Sequence, residues 1–279
     1  MSEAASAPDP LVGRMIRAYK IKEPIGVSRW GKVYRAVQTT MDRTVAVRVL
    51  SPGIAALPDK TEHFLEETRA DASLMHPHLV TVYEAGQSDG RYFCAMEYMD
   101  GPPLARFLRQ GDAVDEHRLL QAIAGVARAL DFLWQRNVPH QPPIDKNVLT
   151  AMDGTVKLIN VAPVEMPASL SAQEDVVNLA VMMATLTNDI GPVSKPVSEF
   201  VEGMLGAEGR KQFTSLAEVV STAEALDREL SSPGRAATPG SAPNDAKRKR
   251  LLRVIVIAAV GIDLVALLVW LWIRNRVPH

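Results

Sequence analysis

The chain has one cysteine in 279 residues, Cys94, so it can close no internal disulfide and offers no thiol cluster to a metal. A lone thiol suits a reducing compartment, and a buried structural role is expected for it. An excess of either charge is also missing: 31 Lys and Arg against 32 Asp and Glu leave a net charge of -1. That balance excludes the global basic field that collects nucleic acid, so partners have to be recognised by local features. The opening residues, MSEAASAPDP, lack the basic stretch and apolar run of a signal peptide. Residues 1–18 are expected to form a flexible lead-in. The length suits one large two-lobed domain or two small ones.

What is present begins with one long apolar run near the C-terminus. Residues 254–273 read VIVIAAVGIDLVALLVWLWI. At about 1.5 Å per residue this run crosses the roughly 30 Å hydrocarbon core of a bilayer. A buried core helix is the other reading, but it would need a further domain to cover it. Lys247, Arg248, Lys249, Arg250 and Arg253 precede the run and only Arg274 and Arg276 follow it. The positive-inside bias therefore predicts a single-pass anchor, with the large domain cytoplasmic and the short tail 274–279 on the opposite side. Trp270 and Trp272 fall where an aromatic belt meets the far interface. Asp263 lies in the middle of the run, where a carboxylate costs about 2.5 to 3.5 kcal/mol, an amount the large apolar residues around it can carry. Two readings of Asp263 stand side by side: contact with a second membrane helix, or a tolerated passenger.

Residues 227–250 combine Pro233, Pro239 and Pro243 with glycines and serines and lack apolar periodicity, which predicts a flexible linker ending in a basic juxtamembrane run. Ser232 and Thr238 each precede a proline there and would be open to phosphorylation by another kinase. Between Tyr19 and Leu50, segments such as KVYRAV and RTVAVRVL predict antiparallel strands. Helical patterns follow at 59–74, 104–110, 116–136, 173–188, 196–206 and 215–228, the third with Leu119, Leu120, Ile123, Val126, Ala127 and Leu130 on one face. Asp153-Gly154, between two apolar runs, signals a hairpin. The predicted fold is α+β, a small β-rich part followed by a mainly helical one.

Motif order within this plan resembles the Hanks-type, eukaryotic-like serine/threonine protein kinase family over residues 19–226, with 19–100 as small lobe and 101–226 as a truncated helical lobe. Gly26, Ser28, Gly31 and Val33 in IGVSRWGKV match the glycine-rich turn over ATP phosphates, with Ser28 in place of the middle glycine. Backbone amides must approach phosphate closely there, so a side chain at Ser28 weakens the cradle. Ala46 and Arg48 in VAVR match the V-A-I-K strand, with Arg48 at the lysine position, and Glu67 matches the carboxylate partner of that cation. The resemblance thus implies an Arg48–Glu67 ion pair, against the alternative of a solvated helix face. Met96 takes the hinge gatekeeper position, and His76 is expected only to satisfy nearby backbone groups.

Where the family has its catalytic loop this chain reads HQPPIDKNVL from His140. His140 and Asn147 keep their places. Pro142 replaces the aspartate base and Ile144 the phosphate-facing lysine, so no proton acceptor and no cation remain at those positions. Asn160, in Asn-Val-Ala, replaces the D-F-G aspartate, a poor ligand for a hard Mg²⁺ ion. Asp175 matches a structural aspartate of the helical lobe. Only 14 residues separate Asn160 from Asp175, no A-P-E is found, and Gln212 stands where its arginine partner would be.

Together with the apolar run and the balanced charge, the resemblance implies a membrane-anchored pseudokinase that does not transfer phosphate: a signalling scaffold or regulatory module for a cytoplasmic protein partner, with no metal, no nucleic acid and at most ATP without Mg²⁺. Its setting resembles bacterial membrane signalling. Two alternatives are kept. One is a weak or unconventional kinase that binds ATP and uses Asp145 as base. The other is a subunit of a membrane complex assembled through Asp263.

Overall fold

The computed structural model describes residues 9–138, 140–159 and 171–232. The chain divides into two units, Met1–Asp100 and Gly101–His279. In the first, β1 (Met15–Ile16), β2 (Tyr19–Val27), β3 (Gly31–Gln38), β4 (Arg43–Leu50), β5 (Val82–Ser88) and β6 (Arg91–Glu97) form one antiparallel sheet in the order β1-β2-β3-β4-β6-β5. Two helices, α1 (Pro52–Ala55) and α2 (Pro58–Ala72), follow β4, and each opens on a proline, whose fixed φ and missing N–H suit a first helical turn.

Alternation along the strands gives the sheet two different faces. Ile21, Tyr34, Ala36, Val45, Val47, Val49, Phe93 and Ala95 build one apolar cluster with Ile16 and Tyr19. On the alternate positions the register sets Ala46 opposite Met96, and Arg48 opposite both Val33 and Cys94. The predicted nucleotide-side residues Val33, Ala46, Arg48 and Met96 are thereby brought to one face of the sheet.

The expected lead-in is ordered from Asp9 onward. Leu11 and Ile16 pack on the apolar cluster, and the Asp9 carboxylate takes Lys32 Nζ at 2.7 Å and the Tyr34 hydroxyl at 3.2 Å. Those bonds hold the Asp9 carboxyl below its usual range, with the Lys32 hydrogen bond as the main cause, while burial and then Asp9 push the Tyr34 hydroxyl up to about 12. The two-residue β1 is too short to leave a period in the sequence, so the small and acidic residues before it give no sign of this order.

In the second unit α4 (Glu116–Gln135) is the central helix, against α5 (Ala172–Ile190), α7 (Leu216–Ser231) and β10 (Val156–Leu158). Its expected apolar face is buried throughout, and Asp115 caps it by accepting from the Arg118 amide at 3.1 Å. Ser171 and Ser215 cap α5 and α7 in the same manner through the Glu174 and Glu218 amides. A short helix, α6 (Lys195–Met204), lies between them. β9 (Val148–Thr150) and β10 form the hairpin signalled by Asp153-Gly154, where Gly154 takes a φ of +92° and Asp153 Oδ1 accepts from the Thr155 amide at 2.8 Å.

Two helix boundaries differ from expectation. The 104–110 pattern yields only one turn, α3 (Leu104–Phe107), because Arg109–Gln110 (β7) turns back to pair with Ala113–Val114 (β8). α7 continues into the expected linker as far as Ser231, and Asp227 on that extension meets His117 at 2.5 Å. No helix among the described residues is long and apolar enough to cross a membrane. The run 254–273 with Asp263, the linker beyond Ser232 and Asn160 all lie outside the described residues.

Candidate functional site

Within the first unit, β2 and β3 are joined by a turn on Arg29-Trp30. Ser28 and Gly31 bond in both directions, Ser28 N to Gly31 O at 2.8 Å and Gly31 N to Ser28 O at 3.2 Å. Gly31 is required there: a Cβ would stand 2.1 Å from the Val49 carbonyl oxygen. Gly26 is not, since a Cβ on it would meet nothing within 4 Å. Ser28 does more than weaken a cradle. Its Oγ accepts from the Trp30 and Gly31 amides at 3.3 Å each and donates to Gly31 O at 3.0 Å, so the side chain closes the turn on itself.

Glu67 on α2 is 5 % exposed, and a carboxylate so buried needs partners. They are not Arg48. The Arg29 guanidinium forms an ion pair with Glu67 Oε2, and the Trp30 indole N–H donates to the same oxygen at 3.2 Å. The Trp30 ring is buried edge-on against Phe64 at 5.6 Å. Arg48, also buried, lies on β4 beside Cys94, whose thiol burial pushes up to about 12, an inert group as expected. His76 accepts from the His78 amide through Nδ1, as expected of a local role.

In the second unit His140 is buried and held at both ring nitrogens: Nδ1 lies 2.9 Å from Val138 O and Nε2 2.8 Å from Asp175 Oδ2. Both partners are acceptors, which calls for the doubly protonated ring. Burial opposes that charge, but Asp175 and the Val138 carbonyl outweigh it and the His140 pKa is raised. Trp134 completes the cluster, with its indole N–H donating to Asp175 Oδ2 at 2.7 Å and its ring edge-on to His140 at 5.4 Å.

After this anchor the loop runs through Pro142, half-buried, to Ile144, which is 47 % exposed, and then into a single 3-10 turn, Asp145–Asn147. Asn147 is fixed by its backbone, N to Ile144 O and O from the Ile159 amide, both 2.9 Å. Asp145 is exposed, and Gln212 likewise. No group of three or more His, Cys, Asp or Glu placed to hold a metal occurs among the described residues. The structure thus brings His140 to Asp175 and Gly31 to Ser28, but not Glu67 to Arg48. Sequence reasoning gave no role to Arg29, Trp30 or Trp134, although Trp30 stands inside the quoted glycine-rich motif.

Comparison with known proteins adds the following. The family described as protein kinase domain matches residues 19–162. The serine/threonine-protein kinase PknH of Mycobacterium bovis is 29 % identical over 156 residues, which are 56 % of this chain and 26 % of PknH. PknI of the same organism is 31 % identical over 139 residues, 49 % of this chain and 24 % of PknI. The chain therefore spans about a quarter of the length of these curated relatives. Among solved structures, a double mutant of the Mycobacterium tuberculosis PknI kinase domain aligns with a TM-score of 0.58 at 25 % identity, over 76 % of this chain and 97 % of that one.

Proposed function

The chain belongs to the protein kinase domain family, and from that premise we propose that it is a pseudokinase: a regulatory or scaffolding module, anchored in a membrane through residues 254–273, that does not transfer phosphate. The observation that carries this reading is the contrast within one loop. Its supports, His140 on Asp175 and Asn147 on Ile144 and Ile159, are in place. Between them the residues at the base and cation positions are Pro142 and Ile144, which can neither accept a proton nor neutralise phosphate. A base alone is commonly worth 10²- to 10⁴-fold, and a lost electrostatic clamp adds to that without simple multiplication.

The relatives named as serine/threonine-protein kinases support the other reading, residual transfer, and the exposed Asp145 is its available base. Radiolabelled ATP with Mg²⁺ or Mn²⁺, the full-length chain and a generic protein substrate decide between them. Label incorporation no greater than with heat-treated protein is expected. Metal-dependent incorporation that Asp145→Asn abolishes would establish the enzyme reading. The anchor has its own check: the full-length chain should stay with membranes in alkaline carbonate, and a chain ending at Ser232 should not.

A further inference from the structure

We propose that the Val27–Gly31 turn is a resident plug, in which Arg29 and Trp30 occupy the Glu67 carboxylate and keep ATP phosphates out from under the loop. The proposal deepens the pseudokinase reading and rests on it, since it concerns the loop that the family resemblance aligns with phosphate binding.

Three adjacent residues close the turn by different means. Ser28 Oγ engages the Trp30 and Gly31 amides, two of the donors that a phosphate would have to use. Trp30 enters the apolar space beside Phe64, with its ring 5.6 Å away, and its indole N–H binds Glu67. Arg29 supplies the cation, pairing with the same Glu67 oxygen while its guanidinium carbon lies 5.0 Å from the centre of the Trp30 ring. The turn is also tied to the end of β4, where the Ser51 amide donates to Trp30 O at 2.9 Å.

The consequence is a division of labour different from that of a nucleotide-binding kinase. Glu67 is a buried carboxylate on α2 and has to be neutralised for α2 to pack. Here a residue two positions after Val27 does it, within the same unit and with no ligand. A group already tethered beside its partner competes at high effective concentration, and a ligand that needs the open turn binds in proportion to the open fraction.

The test compares full-length wild type with Arg29→Ala/Trp30→Ala, titrating a fluorescent ATP analogue in Mg²⁺ and in EDTA. Removing a charge-assisted hydrogen bond that holds the turn shut should raise affinity by roughly tenfold to a hundredfold. Equal affinity in the two proteins overturns the plug. Because the double variant removes a buried tryptophan, hydrogen exchange on the wild type gives an independent reading. The Ser28, Trp30 and Gly31 amides should be protected without nucleotide and unchanged by ATP, and rapid exchange that ATP suppresses would overturn the proposal. Nucleotide binding by the wild type as tight as by the double variant, without phosphate transfer, would remove the plug and leave the pseudokinase reading intact. Transfer by the opened variant would keep the plug and remove catalytic silence.

Discussion

In the unit Met1–Asp100 a motif carboxylate stands in its place with a partner other than the one the motif implies, whereas in Gly101–His279 a motif histidine stands with its partners above a loop whose base and cation positions hold other residues. Glu67 keeps its place on α2 but is held by Arg29 and Trp30. His140 keeps both its place and its acceptors, Asp175 and Val138 O, yet the loop it anchors carries Pro142 and Ile144. The difference follows burial. His140, Asp175 and Glu67 are all at most 5 % exposed, and a buried charge that loses its partner is costly, so each must be matched by something. Ile144 is 47 % exposed, and its exchange from a charged residue leaves nothing stranded. Chemistry can be lost from the surface of a framework that folding continues to enforce.

The largest expected effect tests that enforcement. Asp175→Ala removes the acceptor of both His140 and Trp134 and leaves a buried imidazole facing an empty site. A loss of about 3–5 kcal/mol is expected, read as the denaturation midpoint of the helical unit. Ile144→Lys, by contrast, should leave the midpoint within about 0.5 kcal/mol of wild type, as befits an exposed position. If Asp175→Ala were equally silent, burial would not be what separates the two classes.

A smaller effect should appear with pH. The folded pKa of His140 is raised above the unfolded value, so its contribution is complete below about pH 6.5 and fades as pH climbs through the folded value. Melting temperature should therefore fall between mildly acidic and alkaline buffer, and His140→Gln should flatten that dependence. A slope unchanged in the variant would place the titration elsewhere.

The smallest expected change concerns the strap before β1. Asp9→Ala should cost about 1 kcal/mol by depriving the buried Tyr34 hydroxyl of its acceptor. Tyr34→Phe should make the Asp9 change nearly neutral in a double-mutant cycle, since both report one bond. Additive losses would mean that Asp9 acts through Lys32 instead.

Much of this molecule was legible in the order of its residues. Period-two and period-3.6 patterns placed β3, β4, α4 and α5, and Asp153-Gly154 placed the β9–β10 hairpin, because the backbone repeat alone dictates which side chains share a face. The substitutions at Ser28, Arg48, Pro142 and Ile144 were read from motif spacing without coordinates. The single turn of α3 and the ordered strap from Asp9 were not, since elements of two to four residues are too short to show a period. Nor was the partner of Glu67. Motif position points to Arg48, and nothing local in the sequence marks Arg29 as the partner. Tertiary structure decided for Arg29, because the two-residue turn fixed by Ser28 and Gly31 carries Trp30 into the space beside Phe64 and brings the neighbouring guanidinium to the carboxylate with it.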